Sequence, residues 1–381
     1  MTETRSSRVL WTVLACSLLA IPANLLPHVI PALHANADAM SGYGAAVLLG
    51  SAVLAYFLAL RKLPKSPWRR YSVFFAVFMF AAVIDALIAI TLFGWSDVMS
   101  FYLADAEPYL STGYGFAANM WDGTVHFGLY IAMVASIARG WVPRTAALFW
   151  AGSILCSLVV FMPGNLIGKY SEEVTSAIAL NVVFLVVPMF VAARVLRGES
   201  SPSVPDSTER WNPMTALLAL GLLAVVAVGS FRMLAGLRPD ISLTSSWATN
   251  VDPYVQDPTR YGQLYVVVAG ALMVVFALIA LFALRHPARG GLRSWSLIMT
   301  GFATAGAFTH LVGSAYVRHE GGHFSLWAAS LLPCWYSECW PGGSTGEHCG
   351  PSRCGSHKWS GCEIRMRETF LSHLRIRSSW A

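Results

Sequence analysis

Charge is scarce in this chain. Only 12% of its 381 residues are Asp, Glu, Lys or Arg, and 56% are apolar, whereas an ordinary soluble domain carries roughly a quarter of its residues as charges. That balance excludes a soluble globular protein and leaves a polytopic membrane protein. Acceptors for N-linked glycans are missing, so no Asn-x-Ser/Thr triplet reports which loops face a lumen. The apolar body holds no nucleophile elbow, Gly-rich phosphate loop or His-x-x-His constellation, which removes support for hydrolase, kinase and metalloenzyme readings. Cysteine is nearly absent from that body too. Five of the seven (Cys334, Cys339, Cys349, Cys354, Cys362) fall near the C-terminus, leaving Cys16 and Cys156 in apolar segments and no disulfide framework. The net charge of +6 does not signal a nucleic-acid partner, because the basic residues sit in short loops between apolar segments.

What is present is a series of apolar runs of spanning length. Nine fall near 9–26, 43–60, 71–93, 116–138, 146–163, 174–193, 213–233, 262–284 and 294–315, and a tenth starts at Phe324 but stays apolar only to Pro333. The first run follows Arg5 and Arg8 and is long enough to read as a spanning helix rather than a cleaved signal peptide. Loop charges orient the series. With the N-terminus cytoplasmic, Arg5, Arg8, Arg61, Lys62, Lys65, Arg69, Arg70, Arg139, Arg144, Arg194, Arg197, Arg210, Arg285, Arg289 and Arg293 fall on the cytoplasmic side, against Lys169, Arg238, Arg260 and Arg318 opposite.

Two tetrapeptides repeat each other: Glu107-Pro108-Tyr109-Leu110 and Asp252-Pro253-Tyr254-Val255, each ahead of a long apolar segment. They imply one membrane unit used twice, joined by the Ser/Pro-rich stretch around 198–210, with both motif loops on the luminal side. The loops either fold back over the bundle mouth or lie outside it as plain connections.

Ionisable groups at membrane depth are Asp85, Asp122, His126, Arg232 and His310. A central Asp or Arg costs about 2.5–3.5 kcal/mol on insertion scales, so each must be paired, neutralised or facing a cavity. Asp122 and His126, four apart, share a helix face on which the carboxylate can accept the imidazole N–H, a pair suited to proton handling or to a structural clamp. Asp85 lies among residues that cannot pair with it, so its partner must come from another helix. Arg232 of the second unit is one candidate, in an Asp85–Arg232 ion pair joining the copies. Where the first unit has Asp122, fifteen residues after its motif acid, the second has Val267, so any chemistry belongs to the first. Parallel repeats with no evident discontinuous helix argue against a transporter.

From Cys334 the chain loses apolar periodicity. Cys334, Cys339, Cys349 and Cys354 with His348 and His357 miss the usual zinc-knuckle spacing, and the segment reads as a tail without a core.

Several longer runs carry a family resemblance: Glu107-Pro-Tyr-Leu110, Trp121-Asp-Gly-Thr-Val-His126, Val160-Phe-Met-Pro-Gly-Asn165, Asp252-Pro-Tyr-Val-Gln-Asp-Pro258 and Phe308-Thr-His310. Over about 8–320 the chain resembles the transmembrane 6 superfamily. The resemblance implies an all-α polytopic membrane protein of nine to ten transmembrane helices, with two tandem four-helix EXPERA-type bundles. Its parts would be a two-helix segment at 1–64, a first bundle at 65–197, a linker at 198–210, a second bundle with a truncated last helix at 211–333, and the tail at 334–381. It further implies residence in endoplasmic reticulum and ER-Golgi intermediate membranes, and a role in triglyceride-rich lipoprotein lipidation and secretion and in lipid-droplet content, with lipoprotein-assembly proteins as partners. The related emopamil-binding protein is a sterol isomerase, and an isomerase-like enzyme using Asp122, His126 and Asp85 is the alternative. This chain carries Asp85 and Ala89 where that enzyme has a His followed four residues later by a Glu. On the same resemblance, a membrane lipid or sterol would be held by Asp85, Glu107, Tyr109, Trp121, Asp122, His126 and Asn165, with Arg232, Asp252, Tyr254 and His310 as second-unit counterparts. No cofactor or metal is implied.

Overall fold

A computed structural model describes residues 3–34, 36–173, 175–176, 178–197, 213–250, 252–285 and 292–321. The linker and the Cys-rich tail inferred from sequence lie outside the described residues, as does the short apolar stretch from Phe324. Every regular element among the described residues is helical. Eight helical stretches are long and apolar enough to cross a bilayer: 6–29, 37–62, 68–92, 144–167, 180–197, 216–237, 261–282 and 294–316. They match eight of the nine expected spans. The ninth, 116–138, is helical throughout but is divided by a single π turn, so the expectation of an uninterrupted helix needs correction there.

The first half contains α1 (Glu3–Leu18), α2 (Ala20–Val29), α3 (Ala37–Leu58), α4 (Trp68–Leu92), the short α5 (Ser100–Asp105), a 3₁₀ turn at Pro108–Ser111, α6 (Gly113–Trp121), the π turn Asp122–His126, α7 (Phe127–Ala138), α8 (Arg144–Ile167) and α9 (Ile178–Arg197). The second half contains α10 (Pro213–Leu237), α11 (Ser242–Asn250), a 3₁₀ turn at Pro253–Gln256, α12 (Tyr261–Arg285) and α13 (Leu292–Gly321). At 1.5 Å per residue, 25-residue helices such as α4 and α10 reach about 37 Å, enough to cross a hydrocarbon core about 30 Å thick. The sequence order of α4, α5, 3₁₀ turn, α6–α7 and α8 recurs as α10, α11, 3₁₀ turn, α12 and α13. The acids that open the two 3₁₀ turns share a backbone conformation, Glu107 at φ −134°, ψ 67° and Asp252 at φ −128°, ψ 70°.

The halves meet through α8 and α13, and the seam is reciprocal. A Cβ added at Gly152 would overlap the main chain at Ile298, and one added at Gly301 would overlap the main chain at Phe149. Only glycine permits backbones to approach this closely, the device by which membrane helices associate without a hydrophobic driving force. Beside it, Tyr114 Oη donates to the Cys156 carbonyl at 2.8 Å and Tyr265 Oη to the Gly306 carbonyl at 2.6 Å, with the two rings 5.6 Å apart. These matched bonds satisfy both hydroxyls at membrane depth, where an unmade bond is costly.

Within the first half, α4 is buried along most of its length. Phe75 and Phe78 pack on Trp150 of α8, Phe78 stacks on Phe184 of α9 at 4.6 Å, and the Trp150 indole donates to Tyr130 Oη of α7 at 2.9 Å. At the other end of the helices the motif loop turns inward, with Glu107, Pro108, Tyr109 and Leu110 all buried. Of the two loop arrangements the sequence allows, this one folds against the bundle.

Candidate functional site

A partly enclosed cavity of about 140 Å³ lies between α4, the motif loop, α6, α8, α9 and the α2–α3 pair. Asp85, Glu107 and Asp122 all line it, and no Lys, Arg or His is among its lining residues in the described chain. Three carboxylates therefore share a space walled mainly by apolar side chains, among them Ile88, Phe161 and Phe184.

Each acid is held differently. Glu107 is buried at 6% exposure and accepts three hydrogen bonds: from Tyr109 Oη at 2.6 Å and Asn181 Nδ2 at 2.8 Å on Oε1, and from Tyr102 Oη at 2.7 Å on Oε2, while Asn181 Nδ2 also reaches Tyr109 Oη at 2.8 Å. Burial pushes its carboxyl above the ordinary range, and the hydrogen bonds from Tyr109, Tyr102 and Asn181 pull part of the way back. Burial, followed by the Glu107 charge, holds the Tyr102 and Tyr109 hydroxyls well above their usual value, so both remain neutral donors.

Asp122 begins the π turn. Its Oδ1 lies 2.6 Å from His126 Nδ1, and the wider turn also brings Trp121 Nε1 within 3.2 Å of His126 Nε2, five residues on. Ser153 of α8 completes the group, 2.7 Å from both Trp121 Nε1 and His126 Nε2. An indole N–H can only donate, so Trp121 gives its proton to Ser153, and Ser153 gives its own to Nε2. That leaves the proton of the imidazole on Nδ1, close to Asp122 Oδ1 but out of line for a hydrogen bond to it. His126 and Ser153 are fully buried, while Asp122 keeps 24% of its side chain exposed and lines the cavity. The turn can approach α4 because residue 123 is glycine: a Cβ there would lie 2.7 Å from Ala86 N, next to Asp85.

Asp85 receives no hydrogen bond or ion pair from the described residues. The Asp85–Arg232 pair entertained from sequence does not form, because Arg232 has a partner in its own repeat: its Nη2 lies 3.1 Å from Asp252 Oδ2. His310 Nε2 stands 3.7 Å from Asp252 Oδ1, and the rings of Tyr254 and His310 are 5.7 Å apart. Arg232, Asp252, Tyr254 and His310 thus form a cluster of their own. Asn165 stands apart from the cavity, accepting from Tyr261 Oη at 2.6 Å at the junction of the two halves.

Other groups complete the cavity. Asn24 Nδ2 donates to the Ala20 carbonyl at 2.8 Å and Asn119 Nδ2 to the Gly115 carbonyl at 2.7 Å, which leaves their carbonyl oxygens as acceptors. Ser157 Oγ is buried in the cavity wall without a partner among the described residues. Tyr102, Asn119, Ser153, Ser157 and Asn181 carry no motif that would single them out, and Asn24 and Tyr43 come from the N-terminal helices set apart from the repeats in the sequence reading. The site is acceptor-rich, anionic and lined with hydrocarbon.

A family model described as "Transmembrane 6 superfamily member 2-like, transmembrane domain" matches residues 19–205. The chain is 31% identical over 316 residues to Transmembrane 6 superfamily member 2 of Homo sapiens, covering 80% of this chain and 82% of that protein. It belongs to the transmembrane 6 superfamily. The mouse member 2 is 30% identical over 284 residues, covering 72% of this chain and 74% of that protein, and the rat member 2 is 31% identical over 254 residues, covering 64% and 67%. All three of these relatives carry the name of member 2. No solved structure gives a significant match. Superfamily membership and the spanning helices make the chain a multi-pass membrane protein.

Proposed function

We propose that this superfamily member is a lipid-responsive regulator of the endoplasmic reticulum and ER-Golgi intermediate membranes, with its N-terminus cytoplasmic. In this reading it promotes lipidation and secretion of triglyceride-rich lipoprotein and limits lipid-droplet content, acting with lipoprotein-assembly proteins. Its signal is a sterol or other amphiphile seated in the first repeat.

The observation that carries the reading is the meeting of Asp85, Glu107 and Asp122 in one apolar-walled cavity with no basic side chain of the described chain among its lining. Such a site lacks a counter-charge, and an intramembrane acid marks a ligand path by default. An engineered apolar void of about 150 Å³ accepts benzene, so 140 Å³ suits a head group or one ring, with the rest of the guest extending into lipid. Ser157 Oγ and the Asn24 and Asn119 carbonyls suit a hydroxyl, and the carboxylates suit an amine.

The test is direct binding of a radiolabelled dimethylamino-steroid to the full chain in nanodiscs. Asp122→Asn should weaken binding roughly 10- to 150-fold, the equivalent of about 1.5–3 kcal/mol for a hydrogen bond to a charged group. Unchanged affinity in that variant, or no saturable binding by the wild type, sinks the proposal.

A second reading draws on the Ser153–His126–Asp122 chain, which could pass a proton to a cavity-facing carboxyl: a sterol isomerase in which one acid protonates a ring alkene and a neighbouring carboxylate removes a proton from the adjacent carbon. Incubation with a Δ8-sterol distinguishes the two. The regulator reading expects no shifted product, and turnover abolished by Asp122→Asn establishes the enzyme.

A further inference from the structure

The two acidic-Pro-Tyr units have the same backbone at their acids, yet their surroundings are opposite in charge. In the first, Asp85 of α4 lies 22 residues before Glu107 (107 − 85) and the cavity lies between acids. In the second, Arg232 of α10, the helix that corresponds to α4, lies 20 residues before Asp252 (252 − 232). Its guanidinium sits 3.1 Å from the Asp252 carboxylate, 3.4 Å from His310 Nδ1 and 5.9 Å from the centroid of the Tyr265 ring. Asp252 is 3% exposed and Arg232 15%. A carboxylate and an aromatic face enclosing a cation is the arrangement by which proteins bind organic ammonium and guanidinium ligands. At 3.1 Å there is no room for a guest cation between the partners.

We propose that Arg232 is a tethered ligand, filling the cation place of a second, latent amphiphile site. The chain then binds one cationic amphiphile, in the first repeat, and loss of the Arg232 side chain opens a second place for one. This rests on the amphiphile-binding reading of the first cavity, and it gives that reading a chemical class: the unit takes a cation, supplied from outside in one copy and by the chain itself in the other. Without the guanidinium, buried Asp252 keeps, among the described residues, only the longer 3.7 Å contact to His310 Nε2, and because a poorly paired buried carboxylate is costly, the variant gains affinity for a cation that fits.

The full chain in nanodiscs is titrated to saturation with the radiolabelled dimethylamino-steroid. One molecule per wild-type chain, two per Arg232→Ala chain and one per Asp122→Asn/Arg232→Ala chain are expected. Arg232→Lys should stay at one, because its ammonium still reaches Asp252. If Arg232→Ala is too unstable to saturate, its melting temperature is followed against ethylguanidinium, which should raise it saturably in the variant and leave the wild type unmoved. Equal stoichiometry in the wild type and a folded Arg232→Ala chain, or no effect of ethylguanidinium on the variant, overturns the proposal. A wild type that binds none while Arg232→Ala binds one leaves the tethered ligand standing and removes the first-cavity reading.

Discussion

Glu107 shows how one residue can set a pH dependence. Burial raises its carboxyl above the ordinary value of about 4.3, so on acidification it takes up a proton earlier than a surface Glu would. Binding of the dimethylamino-steroid should therefore fall as pH drops toward that raised value, while surface carboxylates are still ionised. Asp85 and Asp122 face the same cavity, and Glu107→Gln should remove the part of the pH step that belongs to Glu107. A step unchanged in that variant assigns it to the other acids. Stability responds in the opposite sense: a carboxyl that binds its proton more readily when folded loses stabilisation as pH rises from the ordinary value through the raised one. Ser153 offers a second check at this scale. Ser153→Ala leaves the Trp121 indole with only the 3.2 Å contact to His126, and a lower melting temperature, equivalent to about 1–3 kcal/mol, is expected. The acids were legible in the sequence because charge at membrane depth is expensive. Ser153 and Asn181 were not, because a single polar residue in an apolar helix looks the same whether it binds its own backbone or a partner 27 or 74 residues away.

Among the elements, the π turn between α6 and α7 matters most for the site. Its one-residue change of register leaves no mark in composition, so the sequence indicated a plain helix, with Asp122 and His126 merely on one face. What allows the turn to lie against α4 is Gly123. Gly123→Val is expected to push Asp122 away from Asp85, abolish steroid binding and lower the melting temperature, whereas Gly128→Ala, with nothing within 4 Å of its added Cβ, should change neither. Normal binding by Gly123→Val would show that the close approach is dispensable. The spans themselves were readable from length and hydropathy, since few structures other than a helix can carry twenty apolar residues across lipid.

Across the molecule, duplication was visible in two tetrapeptides, but its asymmetry was only half visible. Val267 in place of Asp122 indicated that the copies differ. The sequence did not indicate that Arg232 would find Asp252 in its own repeat instead of Asp85, or that helices ahead of the first repeat would supply Asn24 and Tyr43 to its cavity, because both depend on which helices become neighbours. Asn165, assigned to the ligand set by resemblance, serves the junction of the halves. The orientation rests on loop charge and can be checked in sealed microsomes: a protease site inserted after Ser203 should be cut from outside, and one inserted after Ser96 should be cut only once detergent is added. The reverse pattern inverts the topology.

The seam of Gly152 and Gly301 limits how this chain can change over time. A larger side chain at either place meets carbonyl and Cα atoms rather than another side chain, so no trimming substitution elsewhere can make room for it. Both halves are thus bound to keep the same two residues, however far their pockets diverge.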